Sequence, residues 1–165
     1  MKEGMKLAIL GTLLGVTSPA IAQEAVVGVA NPDALFFSKD PVLNRNKQAA
    51  YHIVKDLLEA NHWELTAKWL GPTYIQHNPQ VKNGLQPVID YFTKTLALKP
   101  TPIPVKMKTQ LVSVVAEGDK VIVAYVIPVK DSKDPTKIYT TTTFDMWRFE
   151  NGKAVEHWDV HTKDD

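Results

Sequence analysis

The spacing of apolar residues along this chain changes once, and the change divides it. Ala50, Ile53, Val54, Leu57 and Leu58 recur three and four apart within residues 46–60, the period that lays one stripe along a helix. Asn44 or Asn46 stands where its N-cap is expected. A short second helix is predicted over about 63–70, with Trp63, Ala67 and Leu70 on one side and Gly71-Pro72 as its stop. The stretch "YIQHNP" at 74–79 then reads as extended, because a residue before proline avoids the helical region. Asn83 is expected to cap a third helix whose apolar face is Leu85, Val88, Ile89, Phe92 and Leu96. Pro87 falls in its first turn, where a missing N–H costs little.

From residue 105 the period becomes two. "VKMKTQLVSVVAEG" and "KVIVAYVIPV" are predicted strands around Gly118-Asp119, a hairpin signal. "KIYTTTTFDMWRFE" and "KAVEHWDVH" are predicted strands around Asn151-Gly152, a second hairpin. Three helices followed by a four-stranded meander define an α+β domain.

The last hairpin admits two registers. A two-residue turn pairs Glu150 with Lys153 and sends Asp145 and Asp159 to opposite faces. A three-residue loop with Gly152 in a bulge pairs Phe149 with Lys153. Asp145, Trp147, Val155, His157 and Asp159 then share one face, and Phe144, Met146, Arg148, Glu156 and Trp158 take the other. The bulged register is expected, because it gathers the acids and His157 on one side; a slip of one residue would invert every assignment.

Residues 23–43 show no sustained period and read as an extended arm that packs Leu35, Phe36 and Phe37. Before it, Lys2 and Lys6 precede the apolar run 7–16, and Ala20-x-Ala22 matches a signal-peptidase site. Residues 1–22 are therefore expected to be a signal peptide, with Gln23 starting a secreted or periplasmic protein and residues 44–165 forming the domain. The chain has 165 residues and no cysteine, which removes disulfides, thiolate metal sites and a cysteine nucleophile. A net charge of +1 with interspersed signs shows no basic stripe, so nucleic acid is not an expected partner, nor is a membrane after cleavage of the leader.

"YIQHNPQVKNG" followed by a helix and then "FDMWRFENGKAVEHWDV" resembles the SnoaL-like polyketide cyclase family of the nuclear transport factor two-like superfamily, over roughly residues 44–162. The resemblance implies a cone: a curved antiparallel or mixed sheet packed on three N-terminal helices, with a pocket inside. It also implies an aspartate acid/base, for which Asp159 and Asp145 are the matching candidates, and it places His77 and Asn78 on the family's polar segment.

The residues support such chemistry. Removing a proton beside a carbonyl needs a base, and the enolate needs hydrogen-bond donors. A carboxylate in an apolar pocket is a stronger base than one in water. Asp159, Asp145 and His77 are the expected catalytic groups; Asn78, Tyr74, Gln76, His157, Trp147 and Tyr125 are the expected contacts to a small organic ligand or substrate. The alternative is a non-catalytic protein that holds a small ligand in the same cone.

No cofactor is expected, since no phosphate loop, dinucleotide fingerprint or HExxH occurs. His157, Asp159 and His161 alternate onto one face, but at about 3.3 Å per residue the outer two stand about 13 Å apart, so one ion could hardly use all three and no metal site is read. Phe144, Met146 and Trp158, facing outward, predict a homodimer through the outer face of the sheet.

Overall fold

A computed structural model describes residues 24–163, so the expected leader lies outside the described residues. Among the described residues no helix is long and apolar enough to cross a membrane. The segment after the expected cleavage point is tied to the sheet by Val29 N–H, which donates to Leu111 O at 2.8 Å, and it turns through a 3-10 helix at Pro32–Phe36. Phe36 is fully buried, whereas Phe37, expected to pack with it, faces solvent.

Helix α1 spans Pro41–His52 and continues in π-type bonding through Ile53–Glu59. It starts earlier than the apolar period indicates. Asp40 is the cap, accepting from the N–H groups of Val42 and Leu43 at 2.8 and 2.9 Å. Pro41 follows at the first helical position, where its fixed φ suits the helix and no N–H is needed. Asn44 instead accepts from Ser38 N–H, and Asn46 is buried.

A 3-10 turn at Trp63–Leu65 leads into α2, Thr66–Trp69. Strand β1, Leu70–Gln76, begins at once. Gly71 therefore lies inside a strand: a Cβ there would come within 2.8 Å of Val155 Cγ1, so its absence lets β1 approach the last strand. Helix α3 spans Leu85–Asp90 and continues through a π turn at Tyr91–Thr95. Asn83 does not cap it. Its side chain accepts from Gln76 N–H at 2.9 Å, while Gly84, at φ 99°, occupies the cap position and donates to Tyr74 O at 2.7 Å. Both bonds tie the loop to β1.

Four further strands follow: β2 (Leu111–Glu117), β3 (Lys120–Lys130), β4 (Ile138–Glu150) and β5 (Lys153–Asp159). The sheet has five strands in the order β1-β5-β4-β3-β2, with β1 parallel to β5 and the other pairs antiparallel. Strand β2 starts later than the alternating pattern from 105, because carboxylates claim the backbone there. Met107 N–H donates to Asp33, and those of Lys108 and Thr109 donate to Glu59. A segment whose N–H groups serve side chains is lost to the ladder.

The last hairpin combines both expected registers. Asn151 and Gly152 have φ of 51° and 78°, a tight turn of the I′ kind, so Glu150 pairs with Lys153 and Phe149 with Ala154. The expected pairing of Phe149 with Lys153 is not formed. The bulge lies further along: Arg148 pairs with Glu156, which leaves Val155 as the extra residue, packed against Gly71. Beyond it Trp147 pairs with His157 and Asp145 with Asp159, so the two acids share a face as expected. That inner face carries Trp147, Phe149, Val121, Val123 and Leu111, which pack with Phe36, Ile53, Val54 and Leu57 into one core.

Candidate functional site

A cavity of about 280 Å³ opens between the helices and the inner face of β1, β4 and β5. Its helical wall is apolar, built from Leu57, Leu58, Val88 and a stacked pair, Trp63 and Phe92, with ring centroids 3.7 Å apart. Its sheet wall is polar and carries Tyr74, Gln76, Asn78, Asp145, His157 and Asp159. The parallel pairing of β1 with β5 puts Gln76 beside His157, and the antiparallel pairing of β4 with β5 puts Asp145 beside Asp159. Four residues from three strands thus meet at one end of an apolar cavity.

The bonds among them are short. His157 Nδ1 is 2.6 Å from Gln76 Oε1, and its Nε2 is 3.1 Å from Asp145 Oδ1. The ring lies nearly parallel to those of Trp147 and Tyr74, with centroids 5.2 and 6.4 Å away. Asn78 is oriented by the backbone: its Oδ1 accepts from Gln80 N–H at 2.8 Å, so its Nδ2 donates to Asp159 Oδ2 at 2.7 Å. His161 Nδ1 stands 3.2 Å from the same oxygen at the pocket's edge. Asp159 Oδ1 is buried and has no partner. Donor atoms of Asp145, His157 and Asp159 all lie within 4.8 Å of one another.

Tyr74 lines the cavity with its hydroxyl held by Trp147. Its hydroxyl oxygen accepts from Trp147 Nε1–H at 3.1 Å, which leaves the hydroxyl proton for an acceptor in the cavity. Burial pushes its pKa well above the usual tyrosine value, against the Trp147 bond and with help from Asp145 and Asp159, so the hydroxyl stays protonated.

Two expected site residues are elsewhere. His77 follows the inward Gln76 on β1, and strand alternation turns it to the outer face. There its Nε2 lies 2.9 Å from Glu156 Oε1 and its ring stacks on Trp158 at 5.0 Å. It does not line the cavity. Glu156, held also by Arg148 Nε at 2.8 Å, keeps its carboxyl below the usual range through His77 first and Arg148 second. Tyr125 is buried on the inner face but behind the cavity wall. Its hydroxyl lies beside Asp145 short of hydrogen-bonding geometry, and burial raises its pKa strongly.

The residues missed from the sequence are Tyr91 and His161 and, above all, the apolar ones. Leu57, Trp63, Val88 and Phe92 all fall on the inward stripes of their helices, which distinguishes inside from outside but not cavity from core. The orphaned Nε1–H of Trp63, buried without an acceptor, adds a second donor on a pocket-lining residue.

No protein-family model matches the chain, and no curated protein sequence does. Solved structures do. A candidate polyketide cyclase from Acidithiobacillus ferrooxidans is 14% identical with a TM-score of 0.53, over 75% of this chain and 90% of that one. A candidate SnoaL-like polyketide cyclase from Jannaschia sp. CCS1 is 13% identical, also with a TM-score of 0.53, over 75% and 91%. An NTF2-like protein of unknown function from Burkholderia pseudomallei is 18% identical with a TM-score of 0.51, over 72% and 91%. Identities this low establish the fold. The chain has the nuclear transport factor two-like α+β fold, three helices packed on an open, mixed five-stranded sheet.

Proposed function

We propose that the chain is an exported SnoaL-like pocket protein that performs acid/base chemistry on a small organic carbonyl compound, of the aldol-cyclase, isomerase or hydratase kind. The observation that carries this reading is Asp159. One of its oxygens is oriented by Asn78, and the other is buried with no hydrogen-bond partner, on a residue that lines the cavity. A carboxylate held in that way is placed to take a proton from bound substrate. In the proposed step the C–H bond next to the carbonyl breaks, the proton passes to Asp159 Oδ1, and the electron pair moves into the enolate. The enolate oxygen accepts from Tyr74 Oη–H, whose oxygen is already bonded to Trp147. Reprotonation at carbon completes an isomerisation; attack on a second carbonyl closes a ring. The candidate cyclases among the structural neighbours support this chemistry only as a use to which the fold lends itself.

The test is exchange. Small enolisable ketones incubated with the mature protein in D2O should lose their α-hydrogen signals by NMR. Asp159→Asn, which keeps shape and removes the base, should slow that exchange by about 10²- to 10⁴-fold. A wild-type protein that binds such ketones without exchanging them would make this a non-catalytic ligand-binding protein.

A further inference from the structure

We propose that Asp145, His157 and Asp159 form a site for one divalent first-row metal ion such as Zn²⁺. With Gln76 Oε1 facing Nδ1 of His157 at 2.6 Å, that nitrogen carries the ring hydrogen, because a carbonyl oxygen only accepts. Nε2, the ring's other nitrogen, faces Asp145 Oδ1, 3.1 Å away. A hydrogen or a metal ion between Nε2 and Oδ1 would satisfy both atoms. The second, independent observation is Asp159: its side chain is only 9% exposed, and Oδ1 is buried without any hydrogen bond. A buried carboxylate oxygen with no donor is the kind of group that an ion satisfies.

The geometry suits an ion. Three donor atoms lie within 4.8 Å of one another, and bonds of about 2.1 Å to a tetrahedral ion would set them about 3.4 Å apart, a closure of the order that side-chain rotation supplies. The surrounding bonds are those that metal ligands use. Gln76 fixes the tautomer and tilt of His157, and Asn78, itself oriented by the Gln80 backbone, fixes Asp159. One imidazole with two carboxylates favours Zn²⁺, Mn²⁺ or Fe²⁺ over softer ions. The cavity lies directly in front, so an ion would present its open positions to a pocket ligand. The set differs from the His157-Asp159-His161 spacing visible along β5: the neighbouring strand contributes Asp145, and His161 stays outside the group.

This inference goes beyond the acid/base reading: an ion bound at Asp159 occupies the carboxylate, so the ion-free site is the one that serves as base. The two are therefore separable. Mature protein stripped with chelator and titrated calorimetrically with ZnCl₂ should bind one ion per chain. His157→Ala and Asp159→Asn should each weaken that binding by about 100-fold or more, and Gln76→Ala by about 10- to 100-fold. His62→Ala, at a His–Glu pair that does not line the cavity, should leave it unchanged. Should the variants fail to fold, Mn²⁺ added to wild-type protein should broaden the indole N–H resonance of Trp147 ahead of that of Trp69. No stoichiometric binding, binding lost with His62→Ala, or broadening that spares Trp147 would overturn the proposal. Ketone exchange that persists in the stripped protein and is inhibited by stoichiometric Zn²⁺ supports both readings. Absence of exchange with Zn²⁺ bound leaves the metal site standing without the acid/base function.

Discussion

The Tyr74 hydroxyl accepts from the Trp147 indole and keeps its own proton for the cavity, and the environment that permits this makes a measurement possible. The chain has five tyrosines. Burial raises the pKa of Tyr74 and Tyr125 well above the ordinary value, with the nearby aspartates adding to the effect. In the folded protein both phenols therefore stay neutral past the point, about pH 10, where an unfolded chain loses those protons. A group whose folded pKa is raised contributes stability that is fully present below the unfolded pKa and is lost as pH rises toward the folded value. Titration followed at 295 nm should show at most three tyrosines ionising while the protein stays folded, with the remaining two appearing together with unfolding. Smooth ionisation of all five in native protein would show that solvent reaches these phenols, and Tyr74 would lose its place as a neutral donor.

The elements show which features a sequence makes legible. Apolar periods located three helices and both hairpins, because burial on one face leaves a pattern that local residues display. Grouping the acids and His157 on one face located the polar end of the cavity. What escaped depends on partners remote in sequence. Nothing near Lys108 announces that Glu59 will take its N–H, and nothing in "LGPTYIQ" announces a parallel strand on β5. That pairing is what turned His77 outward and brought Gln76 to His157. The bulge at Val155 escaped for the same reason: its place follows from packing against Gly71 and not from the "ENGK" turn. The start of α1 was legible in principle, since aspartate followed by proline is a cap and a first helical residue as readily as a break. Asp40→Ala should lower the unfolding free energy by about 1 kcal/mol, as for loss of an N-cap, measured by urea denaturation with an unchanged m-value. Asn44→Ala, which leaves the cap intact, should cost less; the reverse order would return the helix start to the position expected from the apolar period.

At the scale of the whole molecule the sheet has two faces, and the described residues cover only one of them. The inner face is closed by the helices and holds the site. On the outer face, Ile122 pairs with Met146 and Met146 with Trp158, while Phe144 is 46% exposed and Val115 56%. Apolar side chains gathered on one sheet face mark a contact surface. Around it lie charges of both signs already paired within the chain, Lys120 with Asp119 and Arg148 with Glu150 and Glu156, so a second copy would meet no block of like charge. We propose that the protein is a homodimer through this face. Trp158 is a poor position for the test, because its ring stacks on His77 and its loss would also disturb the Glu156 pair. Phe144 is cleaner: it is half exposed and lies outside the continuous core. Phe144→Glu would place an unpaired charge in the interface, which is strongly destabilising there and nearly neutral on a free surface. Sedimentation at micromolar concentration should therefore give a dimer for the wild type and a monomer for Phe144→Glu, with equal circular dichroism for the two. A wild-type monomer, or a variant that remains dimeric, would move the interface off this face and leave the apolar row without a partner.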